Sequence, residues 1–255
     1  MKKLAILFCI LAVQFITTPL WAETIPTEIT VRAKARDAKF IGSSIGGAMV
    51  IIRAVDTNEI LAKGLTQGST GDTGRIMKTP RERYLPIATG AAHFTAALDI
   101  SEPVFVTIEI LAPYIKKQAR VVAQTQTWLV PGKPISGDGL VVEIPGMVVD
   151  LLSPQTHLYT DLDKSPYEIR ANVVMMCGCS ITKGGLWDGS KIEVVALVQK
   201  DGKTFTTVPL KLRDTMNTFS APFSTEVPGV YEILVYAYDP KTGNTGVDRS
   251  SFIVR

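Results

Sequence analysis

Apolar and polar residues alternate along most of the chain after its first segment. Residues 29–35 and 104–110 carry apolar side chains at every second position. A period of two is typical of β-strands that have one buried face. Similar runs recur at residues 48–53, 94–98, 121–130, 140–144, 167–176, 192–199, 204–212, 230–238 and 251–254. The pattern therefore predicts many short strands and no long helix.

Turn-forming residues separate these runs, as at Asp201-Gly202 and at residues 71–74 and 239–244. Short strands joined by such turns favour antiparallel sandwiches over a parallel sheet covered by helices. We expect an all-β protein with two tandem antiparallel β-sandwich domains of immunoglobulin-like (Ig-like) type. Pro and Gly concentrate at residues 130–139 and again at Pro145-Gly146. The predicted domains are therefore residues 23–146 and 147–255.

The first 22 residues have the three parts of a secretory signal. Lys2 and Lys3 precede an apolar core at residues 4–16, and the small residue Ala22 marks the predicted cleavage site. The core is shorter than the roughly 20 apolar residues that span a bilayer. We expect the signal to be cleaved, no membrane span afterwards, and a periplasmic or secreted mature protein.

Two segments resemble known β-sandwich families. The string PGVYEILVYAYD at residues 228–239, followed by Gly243-Asn244, resembles the penultimate strand and final turn of bacterial extracytoplasmic Ig-like and PKD-like modules. In that resemblance Tyr231 is the corner tyrosine whose hydroxyl bonds nearby backbone. Residues 47–53 with residues 57–64 resemble the strand-turn-strand of carboxypeptidase-regulatory-like modules of transthyretin type. Both resemblances imply a fold and no activity.

Composition narrows the class of function. The chain is 46% hydrophobic and 20% charged, and its net charge of +3 includes Lys2 and Lys3 of the signal. So small a positive charge does not favour nucleic acid as a partner. His93 and His157 are the only histidines, which leaves few groups for acid–base chemistry near neutral pH. The sequence predicts a protein that is not an enzyme.

One sulfur-rich segment could carry chemistry. Met175, Met176, Cys177 and Cys179 stand together, with Gly178 between the two cysteines. On a regular strand, residues two apart are separated by about 6.6 Å, which lies at the far end of the range for a disulfide. A bond would therefore need a bend, and Gly178 is the residue that permits one.

Three uses of this segment remain open at the level of the sequence. Paired cysteines in exported proteins are mostly structural disulfides. Two thiolates with Met175 or Met176 would form a sulfur site suited to Cu(I), and apart from this ion the sequence predicts no cofactor. Thiol–disulfide exchange would use one cysteine to attack and the other to resolve.

Aromatic side chains supply the remaining candidates. Trp187 lies in a glycine-flanked loop after the cysteines, where it is either an anchor for a partner protein or a side chain folded back over the sandwich end. Trp128 and Tyr231 lie in predicted strands, and we expect both to be core residues.

The sequence as a whole predicts an exported binding or assembly module whose partner is another envelope or extracellular protein. The rival hypothesis is a periplasmic copper-handling or thiol-redox protein that uses the Cys-Gly-Cys segment.

Overall fold

The computed structural model describes residues 23–255, so the predicted signal peptide lies outside the described residues. Within that range the chain is built almost wholly of strands. The first seven strands are β1 (Ile25–Ala35), β2 (Met49–Ala54), β3 (Ile60–Leu65), β4 (Phe94–Ile100), β5 (Val104–Ala112), β6 (Val121–Leu129) and β7 (Ile135–Ile144).

Two residues, Pro145 and Gly146, separate β7 from the remaining strands. These strands are β8 (Met147–Ser153), β9 (Leu158–Thr160), β10 (Tyr167–Met175), β11 (Glu193–Lys200), β12 (Lys203–Pro209), β13 (Lys211–Leu212), β14 (Thr218–Phe223), β15 (Gly229–Tyr238) and β16 (Thr245–Val254). Helical segments in residues 23–255 are short, and the longest is a five-residue π-turn at Gly74–Lys78. Across these same residues, no helix has the length and apolar character needed to cross a membrane.

Strands β1 to β7 form a sandwich of two sheets. One sheet has the order β4-β1-β7, and the other has the order β3-β2-β5-β6. Strand β1 is antiparallel to β4 but parallel to β7. The alternation at residues 29–35 puts Ile29, Val31 and Ala33 into the core between the sheets.

Strands β8 to β16 form a second sandwich. Its sheets have the orders β13-β14-β10-β8 and β12-β11-β15-β16-β9. This arrangement is that of an immunoglobulin-like domain, in which four strands pack against a sheet that contains the last two long strands. The short strand β9 pairs in parallel with β16 and extends the second sheet.

The two sandwiches share one strand order. In each, a two-stranded unit (β1 with β4, or β10 with β14) faces a four-stranded sheet (β3-β2-β5-β6, or β12-β11-β15-β16). The two sandwiches differ in the strand that pairs with the other edge of β1 or β10, which is β7 in the first sandwich and β8 in the second. Strand β8 precedes β10 in sequence and is antiparallel to it, whereas β7 follows β1 and is parallel to it. The protein is thus all-β, and the antiparallel prediction is wrong only for the pairs β1–β7 and β9–β16.

Tyr231 lies at the centre of the second sandwich, as the sequence predicts. Its ring is fully buried, and its hydroxyl donates to the carbonyl of Val227 at 2.7 Å. The hydroxyl also lies 2.7 Å from Oγ1 of Thr225. These bonds form the tyrosine corner expected of this position, because they tie the strand to the turn that leads into it.

The prediction that Trp128 is a core residue is wrong. Its side chain is 58% exposed on the outer face of β6. Side chains on successive strand residues point to opposite faces, and Leu129, the next residue, takes the buried position. Trp128 contacts Phe105 across the strand pair, with ring centroids 4.9 Å apart.

The sandwiches meet closely at Pro145-Gly146, the two residues between β7 and β8. Asn244 is fully buried there and accepts a hydrogen bond from Gly146 N at 2.8 Å. Its amide nitrogen donates to the carbonyl of Arg36 at 3.1 Å. Nearby, Lys116 of the first sandwich forms an ion pair with Asp150 of the second at 2.8 Å. The Asn244 amide and the Lys116–Asp150 ion pair are thus among the contacts that join the two halves of the chain.

Candidate functional site

The sulfur-rich segment forms a tight hairpin loop at the end of β10. Met175 N donates to the carbonyl of Cys179 at 3.1 Å, and Gly178 N donates to the carbonyl of Met175 at 2.7 Å. Gly178 has φ of +77°, in the left-handed region. This geometry is that of a three-residue hairpin loop with a glycine in the left-handed position. A side-chain-bearing residue at this φ would be strained.

The hairpin brings the two cysteines together in a disulfide. Their Cα atoms are 5.4 Å apart, closer than a regular strand would place them. The bend at Gly178 that the sequence requires for such a bond is therefore present. Cys177 is fully buried and Cys179 is 8% exposed. Little of either residue faces solvent, although the loop lines a surface cleft.

The structure separates the two methionines of the predicted copper site. Met175 lines a cleft on the side of Trp187, whereas the methyl group of Met176 packs against Gly146 at the connection between the sandwiches. A disulfide offers no thiolate, so the predicted set of Met175, Met176, Cys177 and Cys179 could hold Cu(I) only when reduced. Across residues 23–255, no three His, Cys, Asp or Glu side chains form a group that could hold a metal ion. The copper site stays a prediction.

The loop that carries Trp187 is held in shape by one carboxylate. Oδ1 of Asp188 accepts hydrogen bonds from Gly184 N at 3.0 Å, from Ser190 N at 3.1 Å and from Ser190 Oγ at 2.9 Å. The two backbone donors and the Ser190 hydroxyl hold the pKa of Asp188 below its usual range. The loop is thus preorganised by bonds from its own residues.

Trp187 extends from this loop to the first sandwich. Its indole Nε1 donates to the carbonyl of Asp37 at 2.8 Å. Asp37 lies in the turn after β1 and has φ of +52°. The indole is half-buried, so it is neither fully exposed nor folded completely into the core. Its predicted role as an anchor for a partner protein stays a prediction.

Trp187 stands between two clefts at the meeting of the sandwiches. The larger cleft, of ≈ 510 Å³, is lined by Met175, Leu186 and Trp187 together with charged residues from both halves of the chain. The smaller, of ≈ 330 Å³, is lined by the disulfide loop, Trp187 and, from the first sandwich, Lys39, Ser44 and Thr70. We call Asp37, Lys39, the loop Cys177-Gly178-Cys179 and Trp187 the junction site.

The residues from the first sandwich are the part of the junction site that sequence reasoning missed. Asp37, Lys39, Ser44 and Thr70 lie in turns and loops far in sequence from the cysteines. Ile45, from a short 3-10 turn, lies over Gly178, where an added Cβ would be 3.5 Å from its side chain. Only the packing of one sandwich on the other brings them together, and no local pattern signals that packing.

Comparisons with known proteins identify no family for this chain. No protein-family model matches it, and no curated protein matches it. The fibronectin(III)-like modules of Clostridium thermocellum CbhA are 13% identical, with 89% of this chain and 90% of that chain covered and a TM-score of 0.30. A titin A168–A169 structure is 11% identical, with 91% and 97% covered and a TM-score of 0.24.

A third solved structure, of an engineered protein, is 18% identical over 47% of this chain, with a TM-score of 0.33. This chain spans only 22% of the length of that protein. Because the overlap in all three comparisons is loose, the immunoglobulin-like assignment rests on the strand order and on the corner at Tyr231.

Proposed function

We propose that the protein is an exported, non-enzymatic binding or assembly module that recognises another envelope or extracellular protein through the junction site. The observation that carries the proposal is the placement of Trp187 on a preorganised loop between two clefts. Loops held by a rigid scaffold are where β-sandwich proteins most often carry binding residues. A large aromatic in such a position is a common anchor in protein interfaces.

Preorganisation supports binding because little entropy is lost when the partner docks. The bonds to Asp188 fix the loop, and the bond from Trp187 to Asp37 fixes the indole against the first sandwich. A loop that is already ordered adds less to the cost of association than one that must become ordered. Leu186, exposed beside Trp187, adds apolar area at the same place.

The burial of the cysteines favours a structural disulfide over the rival hypothesis of copper handling or thiol exchange. A cysteine that exchanges must present its sulfur to an incoming thiolate. Cys177 is fully buried, Cys179 is only 8% exposed, and Ile45 of the first sandwich lies over Gly178 between them. We assign the disulfide the role of holding the hairpin that forms one wall of the junction site.

Affinity capture from an envelope extract tests the proposal. The native protein, Trp187→Ala and Tyr84→Ala are each used as bait, followed by crosslinking and mass spectrometry. Tyr84 is the control, because it is a highly exposed aromatic residue of the first sandwich that belongs neither to the junction site nor to a sheet edge. We expect the same crosslinked protein with the native bait and with Tyr84→Ala, and its loss with Trp187→Ala. Equal capture by all three baits would contradict the assignment.

Two further measurements address export and the rival hypothesis. The N-terminal residue of the protein recovered from the envelope fraction should be Glu23, and recovery of uncleaved chain from the cytoplasm would contradict export. Thiol titration of the native protein should detect no free thiol, and metal analysis should detect no copper. Bound copper, or rapid reduction by a small thiol, would favour the rival.

A further inference from the structure

Strand β6 differs from the other strands at the sheet edges of residues 23–255. It has nine residues, none of which is charged, proline or glycine, and its pairing with β5 runs without a bulge. Natural proteins protect edge strands with charges, prolines, bulges or short length, because an open edge pairs readily with another strand. The sequence of β6 has none of these protections.

Every other edge strand of the described chain has at least one of these protections. Strands β9 and β13 are short, with three and two residues. The other edge strands contain a charged residue, namely Lys63 in β3, Asp99 in β4, Asp138 and Glu143 in β7, Asp150 in β8 and Lys203 in β12. Among the edge strands of the described chain, β6 alone therefore lacks protection against pairing with another strand.

The inward-facing side chains of β6 are less buried than those of its neighbour β5. Val121, Ala123, Thr125 and Thr127 are partly exposed, whereas Leu129 at the end of the strand is buried. On β5, every inward-facing residue from Val106 to Ala112 is fully buried. Strand β7 of the facing sheet approaches β6 but does not pair with it. A further strand on the β6 edge would therefore bury side chains that are now partly exposed.

We propose that two copies of this protein associate through β6, as an antiparallel strand pair about a twofold axis at Thr125. In this register Thr125 lies opposite Thr125 of the second copy. Val122 lies opposite Trp128 of the second copy, and Gln124 lies opposite Gln126. The result is one continuous eight-stranded sheet with the order β3-β2-β5-β6-β6-β5-β2-β3.

The strand is complementary to itself in this register. Aromatic side chains opposite β-branched ones, and threonines opposite each other, are among the favourable cross-strand pairs. The outward side chains Val122 and Trp128 are 57% and 58% exposed in the single chain and would cover each other in the pair. No like charges face each other. An isologous pair of this kind closes after two copies and does not propagate.

A second copy is the occupant that these observations favour, because each side chain of β6 meets a suitable side chain of the same strand. The pairing is independent of the junction site, which lies at the meeting of the two sandwiches. A monomeric chain could still bind a partner there, and a dimeric chain could fail to do so. The two proposals can therefore fail separately.

A charge exchange across the edge tests the pairing. The double variants Gln124→Lys/Gln126→Lys and Gln124→Glu/Gln126→Glu each place like charges opposite each other. We expect the native protein to sediment at twice the monomer mass and each variant alone to sediment as a monomer. An equimolar mixture of the two variants should regain the dimer mass, because opposite charges then face each other.

The matched control is Thr204→Lys/Thr207→Lys, which adds the same charge at exposed positions of β12 in the other sandwich. It should remain dimeric. Circular dichroism and thermal melting of every variant establish that it is folded. A native protein that is monomeric at all concentrations, or a Lys variant that remains dimeric, would overturn the proposal.

A cysteine crosslink tests the register. Thr125→Cys places two thiols directly opposite each other at the axis, so oxidation should produce a covalent dimer. Gln124→Cys places its two thiols on a diagonal, so it should crosslink much less. Equal crosslinking of the two variants, or faster crosslinking of Gln124→Cys, would exclude the proposed register even if a dimer forms.

Discussion

At the scale of single residues, the hydroxyl of Tyr231 connects three parts of the second sandwich. It bonds the carbonyl of Val227 and contacts Thr225, while its ring stacks on Phe252 with centroids 5.4 Å apart. A buried hydroxyl that has both an acceptor and a neighbouring hydroxyl stabilises the fold through its bonds. The aromatic ring adds the larger contribution of buried apolar area.

Tyr231→Phe should therefore lower the free energy of unfolding by about 1–2 kcal/mol, the range for loss of a buried hydrogen bond. Tyr231→Ala should lower it by about 3–5 kcal/mol, as for large aromatic residues removed from a core. Chemical denaturation monitored by circular dichroism measures both. A change of less than about 0.5 kcal/mol for Tyr231→Phe would contradict the role of the hydroxyl.

Trp128→Ala provides the contrast on the other sandwich. Because the indole is mostly exposed, its removal should change the free energy of unfolding by less than about 1 kcal/mol. The sequence places both aromatic residues in strands and predicts the buried face correctly for Tyr231 but not for Trp128. Residues 104–111 and 121–130 are rich in apolar side chains on both faces, and the alternation alone does not identify the buried one.

At the scale of elements, the disulfide hairpin encloses a very small loop. Cross-linking residues two apart removes little conformational entropy from the unfolded chain, about 1.5 kcal/mol by the loop-entropy relation. The hairpin also has its own backbone bonds between Met175 and Cys179 and between Gly178 and Met175. We therefore expect the disulfide to add little stability to a hairpin that its own backbone bonds already hold.

Cys177→Ala/Cys179→Ala should leave the fold intact and lower the free energy of unfolding by no more than about 2 kcal/mol. Alanine avoids placing a hydroxyl in the buried position of Cys177. Equilibrium denaturation with and without reductant measures the change in the native protein and in the variant. A loss of several kcal/mol would show that the sulfur atoms themselves are essential to the packing of Ile45.

The Trp187 loop should loosen in acid. The pKa of Asp188 is lower in the folded protein than in the unfolded chain, so the bonds to its carboxylate stabilise the loop fully above its ordinary pKa of about 3.9. This contribution is lost as the pH falls below about 4 and through the lowered value in the folded state. Trp187 fluorescence should be constant at neutral pH and change in that acidic range.

Asp188→Asn provides the control for this titration. An amide keeps one oxygen acceptor for Gly184 and Ser190 but does not titrate, so the fluorescence change below about pH 4 should disappear or shrink. A change of the same size in the variant would contradict the assignment of the fluorescence change to Asp188.

The elements themselves were predictable to different degrees. Long alternating runs such as β5 and β10 are evident in the sequence, because one buried face imposes a period of two. The alternation does not predict β8, β9 or β14, and β16 begins six residues before the run predicted at 251–254. Gly246 and Asp248 interrupt the apolar pattern there, although hydrogen bonding with β15 continues through them.

At the scale of the whole molecule, each sandwich contains all the strand partners of its own sheets. Residues 147–255 include both sheets of the immunoglobulin-like unit, and no strand pair of the described chain joins the two halves. Domains with a complete core commonly fold alone. The contacts that would be lost are those at the meeting of the sandwiches. They include the bonds of Asn244 with Arg36 and of Trp187 with Asp37, the ion pair of Lys116 with Asp150, and apolar contacts, because the buried apolar residues of both halves form one cluster.

A fragment of residues 147–255 should therefore fold, with a cooperative thermal transition of β type at a lower temperature than in the full protein. Circular dichroism of the fragment and of the full protein under the same conditions measures this. An unfolded fragment would show that the predicted boundary at residue 146 divides one cooperative unit.

The two-residue connection Pro145-Gly146 has a consequence for geometry. Two residues span about 7 Å even when fully extended, so the connection is too short to let the sandwiches move far apart. The hydrogen bond from Gly146 N to Asn244 restrains it further. The distance from the β6 edge to Trp187 is thus set by the rigid arrangement of the sandwiches and not by a tether. In a twofold pair, two such tryptophans would be held at one separation. A ligand that repeats its epitope at that spacing would gain avidity over a ligand with a single epitope.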